Sequence, residues 1–382
     1  MFAPVRIVFA VLLLGIAGCR ALDLSPGEVT WDSNPRGRLP LRISGETIEP
    51  PLTLAWLYNA GAGFGEGSPM ILGEIVFVYT RKGEVHAVEM TTGRRRGMKN
   101  FGDVLEGAPV VYKNTLVIPV GWGRRSLVAY DLLEGEVRWT RKGTPVKAGL
   151  LPMGDTFVAV DAEPTLRRHA VVDGDIIWEL PLGRQHLVHT APVRVRDNII
   201  VADDRGLVVA VDLEDGARRW ETFVGSPVYT SLAADDSTVY VPTTRGRLYA
   251  LDANTGTERW KLTLPDTTVR FTRPAKDGDI LVLGGTDGIL RALSPASGKE
   301  LWAFRSADAL TAAPFLTPRT IYVGSMGGML YGVDRNLGVL RWEEKLRGRV
   351  KSALAAKDGS LVVLAEPRYV YLFASSTAEP DA

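Results

Sequence analysis

Four histidines, two acidic pairs, a recurrent arginine and one thiol are the groups of this 382-residue chain that could do chemistry. His186 and His189 stand three residues apart, a spacing that on a helix would turn two imidazoles toward one metal ion. No His-Glu-x-x-His pattern accompanies them and no helical periodicity surrounds them, so they are expected to be loop residues and no metal site is assigned. Asp203-Asp204 and Asp235-Asp236 could supply paired carboxylates for proton transfer. Both pairs close short apolar runs, where Asp commonly accepts bonds from nearby backbone N–H groups, and neither is assigned a catalytic role. Arg96, Arg138, Arg219, Arg259 and Arg341 occupy one repeating position. They form either a positive belt for lipid or an acidic partner, or a solvated strand face paired with local carboxylates at under about 1 kcal/mol per pair. The second reading is the simpler. Cys19 is the single cysteine, so no disulfide forms within the chain.

The elements that must carry these groups repeat. Trp139, Trp178, Trp220, Trp260, Trp302 and Trp342 follow one another at 39 to 42 residues; Trp56 precedes Trp139 by twice that interval, and Gly97 occupies the skipped position. The five arginines each stand immediately before a Trp or before Gly97. A fixed period near 41 residues marks one unit repeated. The clearest unit reads Ser237-Thr238-Val239-Tyr240-Val241, Thr244-Arg245-Gly246, Leu248-Tyr249-Ala250-Leu251-Asp252, Asn254-Thr255-Gly256 and then Trp260. Short β-branched and aromatic runs broken by Gly- and Asp-containing turns predict four strands per unit. Such units of about 40 residues predict a β-propeller.

The internal signature is Ala-x-Asp, then Gly, then Trp four residues later, as in Ala210, Asp212, Gly216 and Trp220 or Ala129, Asp131, Gly135 and Trp139. The glycine permits a tight hairpin. The alanine leaves space for a ring, and the Trp docks one sheet on the next. Trp56, Trp139, Trp178, Trp220, Trp260, Trp302 and Trp342 are therefore read as structural. This signature resembles the tryptophan-docking repeat of quinoprotein-type (PQQ-like) propellers over nearly everything after residue 52. Seven units end at Trp342, and an eighth runs through Leu361-Val362-Val363-Leu364 and Tyr369-Val370-Tyr371-Leu372-Phe373 without its own Trp. Leu52-Thr53-Leu54-Ala55-Trp56-Leu57-Tyr58 is an orphan last strand with a Trp. The fold expected is all-β, an eight-bladed β-propeller of four-stranded blades whose N-terminal strand completes the last blade and leaves no open edge.

The segment before the repeats has its own logic. Arg6 is followed by an apolar run from Ile7 to Ala17 and by Ile16-Ala17-Gly18-Cys19. That is the layout of an export signal, too short to span a bilayer. The last four residues resemble a bacterial lipobox, which implies cleavage before Cys19 and acylation of its thiol. Several acyl chains at about 0.8 kcal/mol per buried methylene anchor a protein stably. Arg20, in place of Asp, implies by analogy sorting to the outer membrane. The domains expected are a lipoprotein signal peptide at 1–18, a lipidated Cys and tether at 19–51, the propeller at 52–374 and a tail at 375–382. A net charge of +1 gives no electrostatic case for nucleic acid.

A lipid-anchored, exported, eight-bladed propeller without a catalytic constellation resembles the BamB-type lipoproteins of the outer-membrane β-barrel assembly machinery. The resemblance implies a scaffold with neither enzyme activity nor cofactor. It would stand on the periplasmic face of the outer membrane, a monomer within a larger complex, with loops engaging the POTRA domains of the barrel-inserting subunit. It also implies that the loops between blades three and four and between blades four and five matter. Here these are Leu182 to His189 and Phe223 to Tyr229, with Arg184 and Leu187 as candidate contacts. Two alternatives are a cell-envelope binding module with a different partner and a PQQ-dependent dehydrogenase. The latter is disfavoured because no second cysteine can form the vicinal disulfide found in many quinoproteins, and no Asp-x-Asp-x-Asp-Gly calcium loop is present.

Overall fold

Strand character changes across each unit in a way that fixes where each strand lies. In blade five, Thr238–Pro242 is buried on both faces, Arg247–Asp252 is buried except at its ends, and Glu258–Thr263 alternates between exposed and half-buried side chains. A continuous apolar run belongs between two neighbouring sheets, whereas an alternating one has one face in water. The computed structural model describes Leu22, residues 47–65, Gly67, residues 69–183 and residues 187–375. In it, 32 strands form eight four-stranded antiparallel sheets. First strands of adjacent sheets touch one another around the ring, so they line the axis and the Trp-bearing fourth strands form the rim.

The ring closes as expected. The last sheet runs Ala355–Lys357, Ser360–Ala365, Tyr369–Ser375 and then Leu52–Asn59 from the other end of the chain. Trp56 lies opposite Leu372, with a bulge between Leu54 and Trp56. Tyr58 then reaches across to blade one, where its hydroxyl lies 2.8 Å from His86 Nδ1. His86 and His169 lie on strands and are buried, which pulls both imidazole pKa values down. Two described parts of the stretch expected to be a tether pack on the ring. Leu22 and Ile48 are fully buried, their carbonyls accepting from the hydroxyls of Tyr130 (3.2 Å) and Tyr322 (2.9 Å).

The tryptophans dock blades in a uniform way. The indole N–H of Trp56, Trp139, Trp178, Trp220, Trp260 and Trp302 donates to a carbonyl of the following blade, namely Met90, Val171, Leu213, Ala253, Pro295 and Arg335, at 2.7 to 3.0 Å. Trp342 instead sits edge-on to Tyr322 and Phe373. Only Trp56 and Trp178 are buried; the other rings are half-buried, because the fourth strand is the outermost. Gly97 pairs with Ala87 as Trp220 pairs with Ala210, so it does hold the skipped position.

The arginines before each Trp occupy a β-bulge. Ala210 faces Trp220 but Val211 faces Arg218, so the register skips Arg219; the same shift skips Arg96, Arg138, Arg259 and Arg341. A bulge re-aims its side chain, and here it aims the guanidinium at the Asp of Ala-x-Asp. Arg138 bonds Asp131, Arg219 bonds Asp212, and Arg259 bonds Asp252 at 2.7 Å, while Arg341 turns to Glu49 at 2.7 Å. Each Asp meanwhile accepts two backbone N–H bonds from its own turn, as Asp252 does from Asn254 and Thr255. The pattern also explains the exceptions. Ile177, Leu301 and Ala55 occupy the bulge in the blades that carry Ala170, Ser294 and Ala374 in place of the carboxylate. In blades two, four and five the recurrent cation is thus a hairpin clamp, which favours the reading of arginines paired with local carboxylates.

The Arg259 guanidinium and the turn N–H groups hold the Asp252 carboxyl down at about 2, against the opposing pull of partial burial. Its folded pKa lies below the unfolded value of about 3.9, so its stabilisation is complete above pH 4 and is lost as pH falls through about 2. Both partners are partly exposed, so the whole contribution is below about 1 kcal/mol. Urea melts between pH 2 and 5 are expected to show a shallower acid loss for Asp252→Asn than for the parent chain. Identical slopes would remove the clamp.

Candidate partner-binding surface

In a four-stranded antiparallel meander, the turns between second and third strands share one end with the connections between blades. The two loops singled out from sequence therefore lie on the same face as the 203–206 turn of blade four. That turn is the organiser. The Asp203 carboxylate accepts from the N–H groups of Arg205 (2.9 Å) and Leu207 (2.8 Å), an Asx arrangement that fixes the hairpin. Its backbone then serves both loops. Val228 N–H donates to Asp203 O at 3.1 Å and Val224 N–H to Gly206 O at 2.8 Å, which straps the loop between blades four and five onto the turn. From the other side, Asp204 N–H donates to Leu187 O at 2.9 Å, and Leu187 N–H donates to Asp204 Oδ1 at 3.1 Å.

This zipper decides which side chains face outward. Val188 packs into the core beneath blades three and four, so its neighbours point away from it. Leu187 is left 42% exposed and the Tyr229 ring 48% exposed. His189 lies between them, its ring 5.0 Å from that of Tyr229 and its Nε2 4.0 Å from Asp204 Oδ2. That separation is too long for a hydrogen bond. The exposed Phe223 ends the fourth strand of blade four at the same end of the blade, paired with Leu207. The second-to-third-strand turn of blade two presents exposed Trp122, with the Lys147 ammonium 5.8 Å from its ring centroid.

An exposed Leu beside an aromatic ring, framed by His and Asp on a backbone held by hydrogen bonds, is suited to gripping another protein. Among the described residues no group of three or more His, Cys, Asp or Glu side chains is arranged to hold a metal ion. Of the residues predicted from sequence, Leu187 falls in this cluster. Arg184 and His186 lie outside the described residues, as does Cys19. Sequence reasoning did not single out His189, Asp204 and Tyr229 as a cluster. The alternation of Leu187, Val188 and His189 is the one local signal that could have flagged the first.

The architecture and its signature define an eight-bladed propeller of the PQQ-like repeat superfamily. More narrowly, the chain belongs to the family described as outer membrane protein assembly factor BamB, whose model matches residues 18–187, 158–309 and 286–380. The outer membrane protein assembly factor BamB of Alkalilimnicola ehrlichii is 33% identical over 135 residues, 33% of this chain and 34% of that protein. That of Moranella endobia is 22% identical over 284 residues, 70% of this chain and 72% of that one. The first curated relatives are matched over only about a third to a half of their own length. Among solved structures, BamB from Moraxella catarrhalis superposes with a TM-score of 0.71 at 18% identity, covering 86% of this chain and 99% of that one. At that identity the likeness speaks to the fold.

Proposed function

We propose that this chain is a non-catalytic scaffold of the outer membrane, anchored by lipid on Cys19 and standing in the periplasm. There it holds the β-barrel assembly machinery and supports insertion of outer-membrane proteins. The observation that carries the reading is the family match, which runs from residue 18 to residue 380. The partner is the barrel-inserting subunit, met through its POTRA domains. The surface around Leu187 and Tyr229 is the docking face, with Arg184 beside it in sequence. Two features support this assignment. The loops are preset by the Asp203–Gly206 turn, so little ordering entropy is spent on binding. Their exposed side chains are of the kinds that make interface anchors.

Affinity capture of the full, lipidated chain from detergent-solubilised membranes tests the proposal. The barrel-inserting subunit is expected in the eluate, and its absence after chemical crosslinking would leave the scaffold without its partner. Cys19→Ser tests the anchor separately: the variant is expected in the soluble periplasmic fraction, and its retention in the membrane would contradict acylation at Cys19.

A further inference from the structure

The first strand of every blade faces the axis, and strand register aligns one position across the blades. The residue two before the first paired residue of each first strand is Ala108, Gly149, Ala191, Ser231, Ala313 or Ala353 in six blades. In blade six, where Ala275 opens the pairing by facing Val282, the same position is Arg273. Neighbouring blades meet closely at this level: a Cβ on Gly149 would lie 3.3 Å from the Cβ of Ala108 and 3.4 Å from that of Ala191. Small side chains permit that close approach, and blade six places one long cation at the same level.

Arg273 is held at a single point. Its Nε–H donates to Leu232 O of blade five at 3.1 Å. No carboxylate pairs with it among the described residues, unlike the hairpin arginines of the rim. Among the described residues its terminal nitrogens have no hydrogen-bond partner, and they are not among the enclosed unsatisfied polar atoms, so they remain open to a ligand. Burial without a countercharge lowers its pKa to about 10, which leaves it fully charged at neutral pH. A half-buried cation whose one partner is a neutral carbonyl lacks a countercharge, and a planar guanidinium fork with open N–H groups matches the two oxygens of a carboxylate or phosphoryl group. We propose that Arg273 forms an anion-binding site on the propeller axis that takes a small oxyanion, with the Ser231 hydroxyl at the same level one blade away as a further donor.

Thermal melts of the full chain at matched ionic strength, in sodium chloride against inorganic phosphate and against acetate, test this directly. The parent chain is expected to gain at least about 2 °C in a saturable manner in one of the two oxyanions. Phosphate alone would identify a phosphoryl ligand and acetate alone a carboxylate ligand. Arg273→Gln should lose the gain and weaken binding by calorimetric titration at least about tenfold, while Arg305→Gln, which removes an exposed arginine of the rim, should keep both. Arg273→Lys retains the charge without the fork and should bind several-fold more weakly than the parent, so the proposal stays testable if the Gln variant does not fold. No saturable response in the parent chain, or equal responses in the parent and whichever Arg273 variant folds, would overturn the site.

Discussion

Trp56→Ala is expected to destabilise the ring by about 3–5 kcal/mol, the usual cost of removing a buried Trp. The ring is only 8% exposed, and its N–H donates to Met90 O at 2.7 Å. It also roofs Gly93, where φ is +69° and an added Cβ would lie 2.6 Å from the indole, so no other residue fits the turn beneath it. Around it, Val362, Leu364, Val370 and Leu372 of blade eight meet Val76, Val78 and Val88 of blade one. Loss of the ring would therefore loosen the packing of blade eight, which the N-terminal strand completes, against blade one. Trp260→Ala, in the most regular blade, removes a half-buried ring and is expected to cost less, about 2 kcal/mol. Urea unfolding of both variants checks the order. Equal losses, or an unchanged midpoint for Trp56→Ala, would show that closure does not depend on this docking.

The second large effect concerns binding. Leu187→Asp combined with Tyr229→Ala is expected to weaken capture of the barrel-inserting subunit by at least about thirtyfold, since two interface anchors at 1 kcal/mol or more each act together. The melting temperature should stay within about 2 °C of the parent, because both side chains are substantially exposed and the loop backbone is fixed by Asp203 and Asp204. Undiminished capture would move the docking surface elsewhere on the ring.

The ring was legible from sequence because a period of about 41 residues carries redundant information. Most of the tryptophans are accompanied by a Gly four residues earlier and several by the Asp of Ala-x-Asp, and Trp56 without a unit of its own implies a closing strand. The clamps were legible only in part. The arginines were visible as a series, but the carboxylate partners of Arg138, Arg219 and Arg259 lie seven residues earlier across a hairpin, and a bulge sets which face each arginine takes. The outward direction of Leu187 depends on Asp204 of another blade, which no local pattern encodes. Arg273 was invisible for a related reason. In Thr272-Arg273-Pro274 it reads as an ordinary loop residue, and only alignment of seven first strands places it at a level otherwise held by small side chains.

A photoreactive side chain at position 187 of the lipidated chain, crosslinked in intact cells, tests the central claim most directly. Position 337, an exposed site on the opposite, third-to-fourth-strand-turn face, serves as the comparison. A crosslinked product between position 187 and the POTRA domains of the barrel-inserting subunit is expected, and none from position 337. Crosslinking from 337 without 187, or from neither, would contradict it.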